Sequence, residues 1–156
     1  EALWRALAEG TLDVVSTDHG PRRRVADESG RLRHQSGTSG VEVRLSLMHD
    51  RGVLEGRIDL QRWVDVCCTA PARLQGLPQK GRLEPGRDAD IVLFDPAATR
   101  RLSAAVLHSA IDHSTYDGQD VRGWPVVTIS RGQVIADRGE WLGDPGRGRF
   151  VRRSIG

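Results

Sequence analysis

Leu12-Asp13-Val14-Val15-Ser16-Thr17-Asp18-His19-Gly20 reads as a short buried strand, Leu12 to Thr17, that delivers a carboxylate and an imidazole where the strand gives way to a polar loop. In α/β barrels and doubly wound sheets, ligands and metals are held just past the carboxyl ends of strands, because the strand fixes the backbone and the loop is free to vary. An aspartate there can be a metal ligand, a general base or a cap of the following loop. The stretch alone leaves the three roles open.

Upstream, Glu1 to Gly10 reads as the end of a helix: Leu3, Ala6 and Leu7 share a face, and Gly10 suits the left-handed residue that closes a helix. Helix, short link and apolar strand make one α/β repeat of a parallel sheet, which needs neighbours on both sides. No such neighbours follow, and the chain opens without Met or a helix cap, so they are expected upstream, outside this sequence.

Downstream, Gly20 to Ser39 has no periodicity and is rich in Gly, Ser, Arg and acids. A structureless loop of about twenty residues is either an active-site lid or a solvated charged loop. Gly40 to Val53 reads as a helix on Val41, Leu45 and Met48, ending at Gly52. Asp59 caps a second helix whose apolar stripe is Leu60, Trp63, Val64, Cys67 and Cys68. Thr69 is expected to cap a third, with Pro71 in its first turn and its close near Gly76. The stripe is core, not a cofactor box.

After Gly76 the pattern changes to short strands. Gly81 to Gly86 reads as strand and turn, Asp90 to Phe94 as a buried strand, and Thr99 to Leu102 as another. Trp124 to Ser130, Gln133 to Asp137 and Glu140 to Leu142 follow, with turns at Arg131-Gly132 and Arg138-Gly139. The division expected is an α/β part over residues 1–78, a β module over 79–142 and an irregular tail over 143–156.

Composition narrows the function classes. Lys80 is the only lysine, and the arginines that carry the formal charge of +2 alternate with acids over most of the 156 residues. Outside Arg22-Arg23-Arg24 and the tail from Arg147 to Arg153 there is no basic stripe, so nucleic acid is not an expected partner. No apolar run approaches the roughly 18 residues of a spanning helix, and the first residues lack a signal peptide's pattern, so a cytoplasmic protein without membrane attachment is expected. Cys67 and Cys68 are sequence neighbours, a poor geometry for a disulfide and the wrong spacing for a metal pair; both read as core.

Lys80-Gly81-Arg82-Leu83-Glu84-Pro85-Gly86-Arg87-Asp88-Ala89-Asp90-Ile91-Val92-Leu93 resembles the segment with which metal-dependent amidohydrolases leave their barrel and enter a small β-sandwich. Thr69-Ala70-Pro71-Ala72-Arg73-Leu74-Gln75-Gly76-Leu77, Gly123-Trp124-Pro125-Val126 and Gly146-Arg147-Gly148-Arg149-Phe150 are, together, similar to the dihydropyrimidinase and hydantoinase branch. The resemblance covers essentially the whole chain and implies the C-terminal third of such an enzyme: α/β plus β, the last strand and trailing helices of a TIM-like barrel, then part of a β-sandwich.

The resemblance implies that Asp18 binds one ion of a two-zinc centre and shuttles a proton, and that His19 supports it from beside the ligand. It implies that Ser36 and Gly37 hold the ring amide of a small cyclic substrate through backbone groups, although relatives usually carry Asn-Gly there. Gly20 stands where many relatives have Cys, and Pro21-Arg22-Arg23-Arg24 departs from their aromatic-bearing loop, so no single substrate is implied. The family's H-x-H pair, carboxylated lysine and two further histidines have no counterpart here. Lys80 lies in the linker, and His34, His49 and His108 read as surface or loop residues, with His113 in a crossing between strands. Zinc needs several converging ligands, so this chain alone is expected neither to hold it nor to act.

The activity implied for the parent is opening of a dihydropyrimidine or hydantoin ring to an N-carbamoyl amino acid. The alternatives are a non-catalytic dihydropyrimidinase-like scaffold and an allantoinase or dihydroorotase. The resemblance also implies a homo-oligomer, tetramer or dimer, with Phe150 and the Arg-rich tail near subunit contacts.

Overall fold

The computed structural model describes residues 1–23, 25–26, 28–30, 32–33 and 38–154. Helix α1, Ala2–Ala8, leads through a left-handed Gly10 into the 12–18 segment. Two-residue strands β1 (Val25–Ala26) and β2 (Leu32–Arg33) pair antiparallel in the following loop. Helix α2 (Arg44–Met48) continues as a wider π-turn, His49–Val53, and α3 (Leu60–Val64) runs through a second π-turn, Asp65–Thr69, into α4 (Ala70–Leu74). The last part is a four-stranded antiparallel sheet in sequence order: β3 (Ile91–Arg101), β4 (Asp120–Ser130), β5 (Gln133–Asp137) and β6 (Glu140–Trp141).

The opening stretch does not form a strand. Residues 12–17 are extended but have no strand beside them among the described residues; only His19 makes a parallel bridge, to Thr38. A strand exists through its partner's ladder, and here other groups take that place. The π-turn makes this possible: the Ala70 N–H reaches back to the Asp65 carbonyl, and Pro71 has no N–H to give. The Val66 and Cys67 carbonyls are thereby open to other donors. Val15 N–H donates to Val66 O at 3.2 Å, and Arg44 Nη2 donates to Cys67 O at 3.4 Å while its Nη1 donates to Val15 O at 2.8 Å. Arg62 does the same further up, from Nε to Leu7 O and from Nη2 to Leu12 O.

Asp59 caps α3 as its sequence implied, accepting the Arg62 N–H at 2.7 Å. Thr69 caps nothing: its backbone is helical, the helix runs through it, and its hydroxyl donates to Gly81 O. The buried face also differs from the expected stripe. Trp63, Val66, Cys67 and Ala70 are inside, whereas Leu60, Val64 and Cys68 are exposed. Both sets fit a helical period around Trp63 and Cys67; the α2 side, where Leu45 accepts the Trp63 indole N–H, selects the first. Likewise α1 buries Leu7 and packs Trp4 on the core, leaving Leu3 in solvent.

Gly81 to Gly86 holds the expected turn, at Pro85-Gly86, but no strand, and the two expected strands from Asp90 to Leu102 are one, mostly exposed rather than buried. Asp95-Pro96 reads as a break, but the Asp95 carboxylate accepts the Ala97 and Ala98 N–H groups and folds the interruption into a bulge between Asp95 and Thr99. The hairpins at Arg131-Gly132 and Arg138-Gly139 are present, all four residues at positive φ. Besides the β1–β2 pair, the described residues hold one four-stranded sheet, without a second layer of a sandwich facing it.

Two apolar clusters hold the parts together. Leu7, Met48, Ile58, Trp63, Val66 and Cys67 form one, reached by Phe94 from β3. Val43, Leu102, Leu107 and Val121 form the other, between α2 and the sheet. His49 is not a surface residue: it is 3% exposed, wedged between the Trp63 and Phe94 rings, with Nδ1 2.8 Å from Arg122 O. Cys67 is core, and burial pushes its thiol up to about 11 despite the opposing Arg44 charge.

Candidate active site

Asp18 stands where the extended segment turns. Its φ is +46°, a left-handed conformation that Asp and Asn accept more readily than other side chains, and its carboxylate is exposed. The turn re-aims the chain so that His19 lies against the returning 38–41 segment. His19 Nδ1 accepts the N–H groups of Gly40 at 3.2 Å and Val41 at 3.4 Å, and Gly20 N–H donates to Thr38 O at 2.9 Å. Those two contacts make Nδ1 the acceptor of the imidazole. Gly40 fits because the Thr17 side chain lies only 3.0 Å from where its Cβ would sit.

The structure thus brings Asp18 and His19 to the segment that follows Ser36 and Gly37. Those two residues lie outside the described residues, as do Arg24 and His34.

Beside His19 is a cavity of about 190 Å³, lined also by Ser39, Glu42, Leu107, His108 and Ser109. The Ser39 and Ser109 hydroxyls are buried and have no hydrogen-bond partner among the described residues. One wall comes from the crossing between β3 and β4, which also meets the loop through Thr38 Oγ1 and Thr115 Oγ1 at 3.0 Å and Arg23 Nε to Ala110 O at 3.3 Å. His113 lies in this crossing, as expected, beside Asp112. His108 does more than line a loop. Its backbone N–H donates to Glu42 Oε2 at 2.8 Å, its Nδ1 lies 2.7 Å from Glu42 Oε1, and its Nε2 lies 2.9 Å from Gly139 O. The hydrogen bond to Glu42 raises its pKa above the ordinary histidine value, helped by the Gly139 carbonyl and the Glu42 charge. Sequence reading missed this pair because 66 residues separate its members and no periodicity connects them.

Among the described residues no three His, Cys, Asp or Glu side chains converge, and Asp18 offers one carboxylate. Nor is any helix long and apolar enough to cross a membrane among them.

Residues 1–135 match the Amidohydrolase family. The chain belongs to that family. It is 39% identical to D-hydantoinase of Ralstonia pickettii over 160 residues, covering 98% of this chain and 34% of that protein. It is 41% identical to D-phenylhydantoinase of Escherichia coli O1:K1 / APEC over 158 residues, with the same two coverages. The crystal structure of dihydropyrimidinase from Brevibacillus agri NCHU1002 superposes with a TM-score of 0.91 at 35% identity, over 98% of this chain and 34% of that one. This amidohydrolase chain therefore spans about a third of the length of the relatives it matches.

Proposed function

We propose that this amidohydrolase chain is the C-terminal third of a zinc-dependent cyclic-amide hydrolase that opens dihydropyrimidine or hydantoin rings to N-carbamoyl amino acids. The observation that carries the reading is identity of 39 to 41% over 98% of the chain to proteins named D-hydantoinase and D-phenylhydantoinase. In this reading residues 1–78 complete the barrel, 79–142 contribute to the sandwich and 143–156 form the tail. The parent is a cytoplasmic homo-oligomer.

Asp18 is the one metal ligand and the one proton carrier this chain supplies. When bound, a zinc pair acidifies water and polarises the amide carbonyl. The residue's own work is to accept the proton of the attacking water and hand it to the ring nitrogen as the C–N bond breaks. Its exposed carboxylate, on a turn held by His19, supports that assignment. Ser36 and Gly37 hold the ring amide through backbone groups.

The test is turnover of dihydrouracil, hydantoins and allantoin by the full-length protein, side by side. Ring opening of the first two is expected; preference for allantoin, or no turnover by zinc-loaded protein, overturns the reading. The 156-residue chain alone is expected to bind no catalytic zinc and to show no turnover, and activity from it, free of other hydrolases, is the contrary result.

A further inference from the structure

We propose that His108 is a positioning residue, which acts through Glu42 on the Ser39–Val41 backbone that clamps His19 beside Asp18. Three contacts make the link. Glu42 receives both the His108 backbone N–H and its Nδ1 side, and Nε2 meets the Gly139 carbonyl in the β5–β6 turn. A carbonyl and a carboxylate only accept, so both ring nitrogens donate and the ring is an imidazolium. A neutral ring has one N–H and gives up one of the two partners. Glu42 directly follows Val41, whose N–H together with that of Gly40 holds His19 Nδ1. The crossing, the sheet turn and the catalytic-side loop are therefore tied at one cation.

An exposed ion pair is ordinarily weak, and the His108 side chain is 64% exposed. This one differs in geometry: the carboxylate is held by two bonds from the same residue, and the far nitrogen is held as well. His108 lines a groove together with the charged groups Glu42 ahead of α2, Arg138 and Glu140 flanking the turn and Arg100 from β3, and it lines the small cavity together with His19. Glu42 is the carboxylate hydrogen-bonded to the imidazole, and with the Gly139 carbonyl it favours the charged ring.

Hydrogen exchange of the full-length protein tests this without reference to activity. At pH 6, H108Q and E42Q should each raise exchange of the peptide covering residues 38–43 about tenfold over wild type, with α3 and α4 unchanged. By pH 9 the gap should narrow, because the deprotonated wild-type ring gives up one of its two partners. Equal exchange at pH 6, or a gap of the same size at both pH values, overturns the proposal. Should H108Q fail to fold, wild type alone decides: corrected for base-catalysed exchange, protection of 38–43 must fall between pH 6 and 9 while α3 and α4 hold theirs. The bearing on turnover rests on the proposed function. There H108Q should lower kcat several-fold at pH 6 and by less at pH 9, with KM little changed. No ring opening by wild type would sink the function but leave the exchange result standing.

Discussion

Gly123 sits at φ +99°, and the space where its Cβ would be is taken by the His49 imidazole and by Phe94 ring carbons at 2.7 Å. Both causes point one way: L side chains rarely adopt the backbone, and the aromatic cluster of His49, Trp63 and Phe94 would have to open. G123A should destabilise the full-length protein by about 2–4 kcal/mol, read as a lower denaturant midpoint; an unchanged midpoint would mean the cluster yields. Asp18 needs the opposite strategy, because its own φ is positive. Alanine there mixes backbone strain with loss of the carboxylate, whereas asparagine tolerates the left-handed region and removes only the charge. D18N in the full-length protein should therefore lower kcat by about 10²–10⁴ with stability intact. Normal turnover in D18N would remove Asp18 from the chemistry. Asp18 could be proposed from the sequence because a carboxylate at the end of an apolar run is a local signal. The clamp on His19 and the His108–Glu42 pair were not, since they depend on which loops the fold brings back.

At the scale of elements, the motif from Lys80 to Asp90 acts as a clasp between the helical part and the sheet. Lys80 Nζ meets Asp88 at 2.7 Å and also pairs with Asp90, whose other oxygen accepts the Arg131 N–H of the β4–β5 turn at 2.8 Å. Burial works against both charges, yet the pairing wins: Asp90 is held below the ordinary aspartate value and Lys80 above the ordinary lysine value. The signs give opposite limbs. Stability from Asp90 is present above the ordinary carboxylate range and is lost as pH falls through its lowered folded value. Stability from Lys80 is present below the ordinary lysine range and lost as pH rises through its raised one. D90N should cost about 1 kcal/mol at pH 7, a figure already reduced for solvent screening of a half-exposed carboxylate. The difference from wild type should vanish on acidification below the carboxylate range, as urea unfolding at the two pH values can show. A constant difference would assign the effect to packing. Sequence patterning located this turn but assigned a strand to Gly81–Gly86, because apolar Leu83 between polar residues mimics alternation. It also split β3 at Asp95-Pro96, where a side-chain-capped bulge preserves the strand. Helix α3 to α4 was divided at Thr69-Pro71 for a similar reason: a cap signal and a Pro look like a new start, but the π-turn absorbs the missing N–H and turns it into a docking point for Val15 and Arg44.

At the scale of the molecule, surface area is the informative quantity. The chain exposes 10665 Å², against roughly 7,800 Å² expected for a compact monomer of its mass. The excess is apolar in part: Leu60 and Val64 on α3, Leu93 and Trp141 on the sheet, and Phe150 at 90% exposure all face outward. Monomers rarely keep such patches uncovered. The sequence reading expected uncovered surface for a different reason, a lone strand after a helix that needs neighbours; residues 12–17 form no strand, and guanidinium groups satisfy the carbonyls of Val15 and Leu12. Purified alone, the 156-residue chain should bind an apolar-surface dye in its folded state. It should also sediment as a concentration-dependent mixture above the monomer mass, whereas the full-length protein should bind little dye and sediment as one species. Disrupting one patch discriminates the cause: L60E with V64E should reduce dye binding and association of the isolated chain without lowering its helical signal, because neither side chain lies in the core cluster. If the double variant associates as before, the driving surface is the sheet and its tail, and W141E with F150E becomes the pair that must abolish it. A monomeric wild-type chain that binds no dye would mean that these faces close on one another in solution, and that the chain needs no other part to cover them.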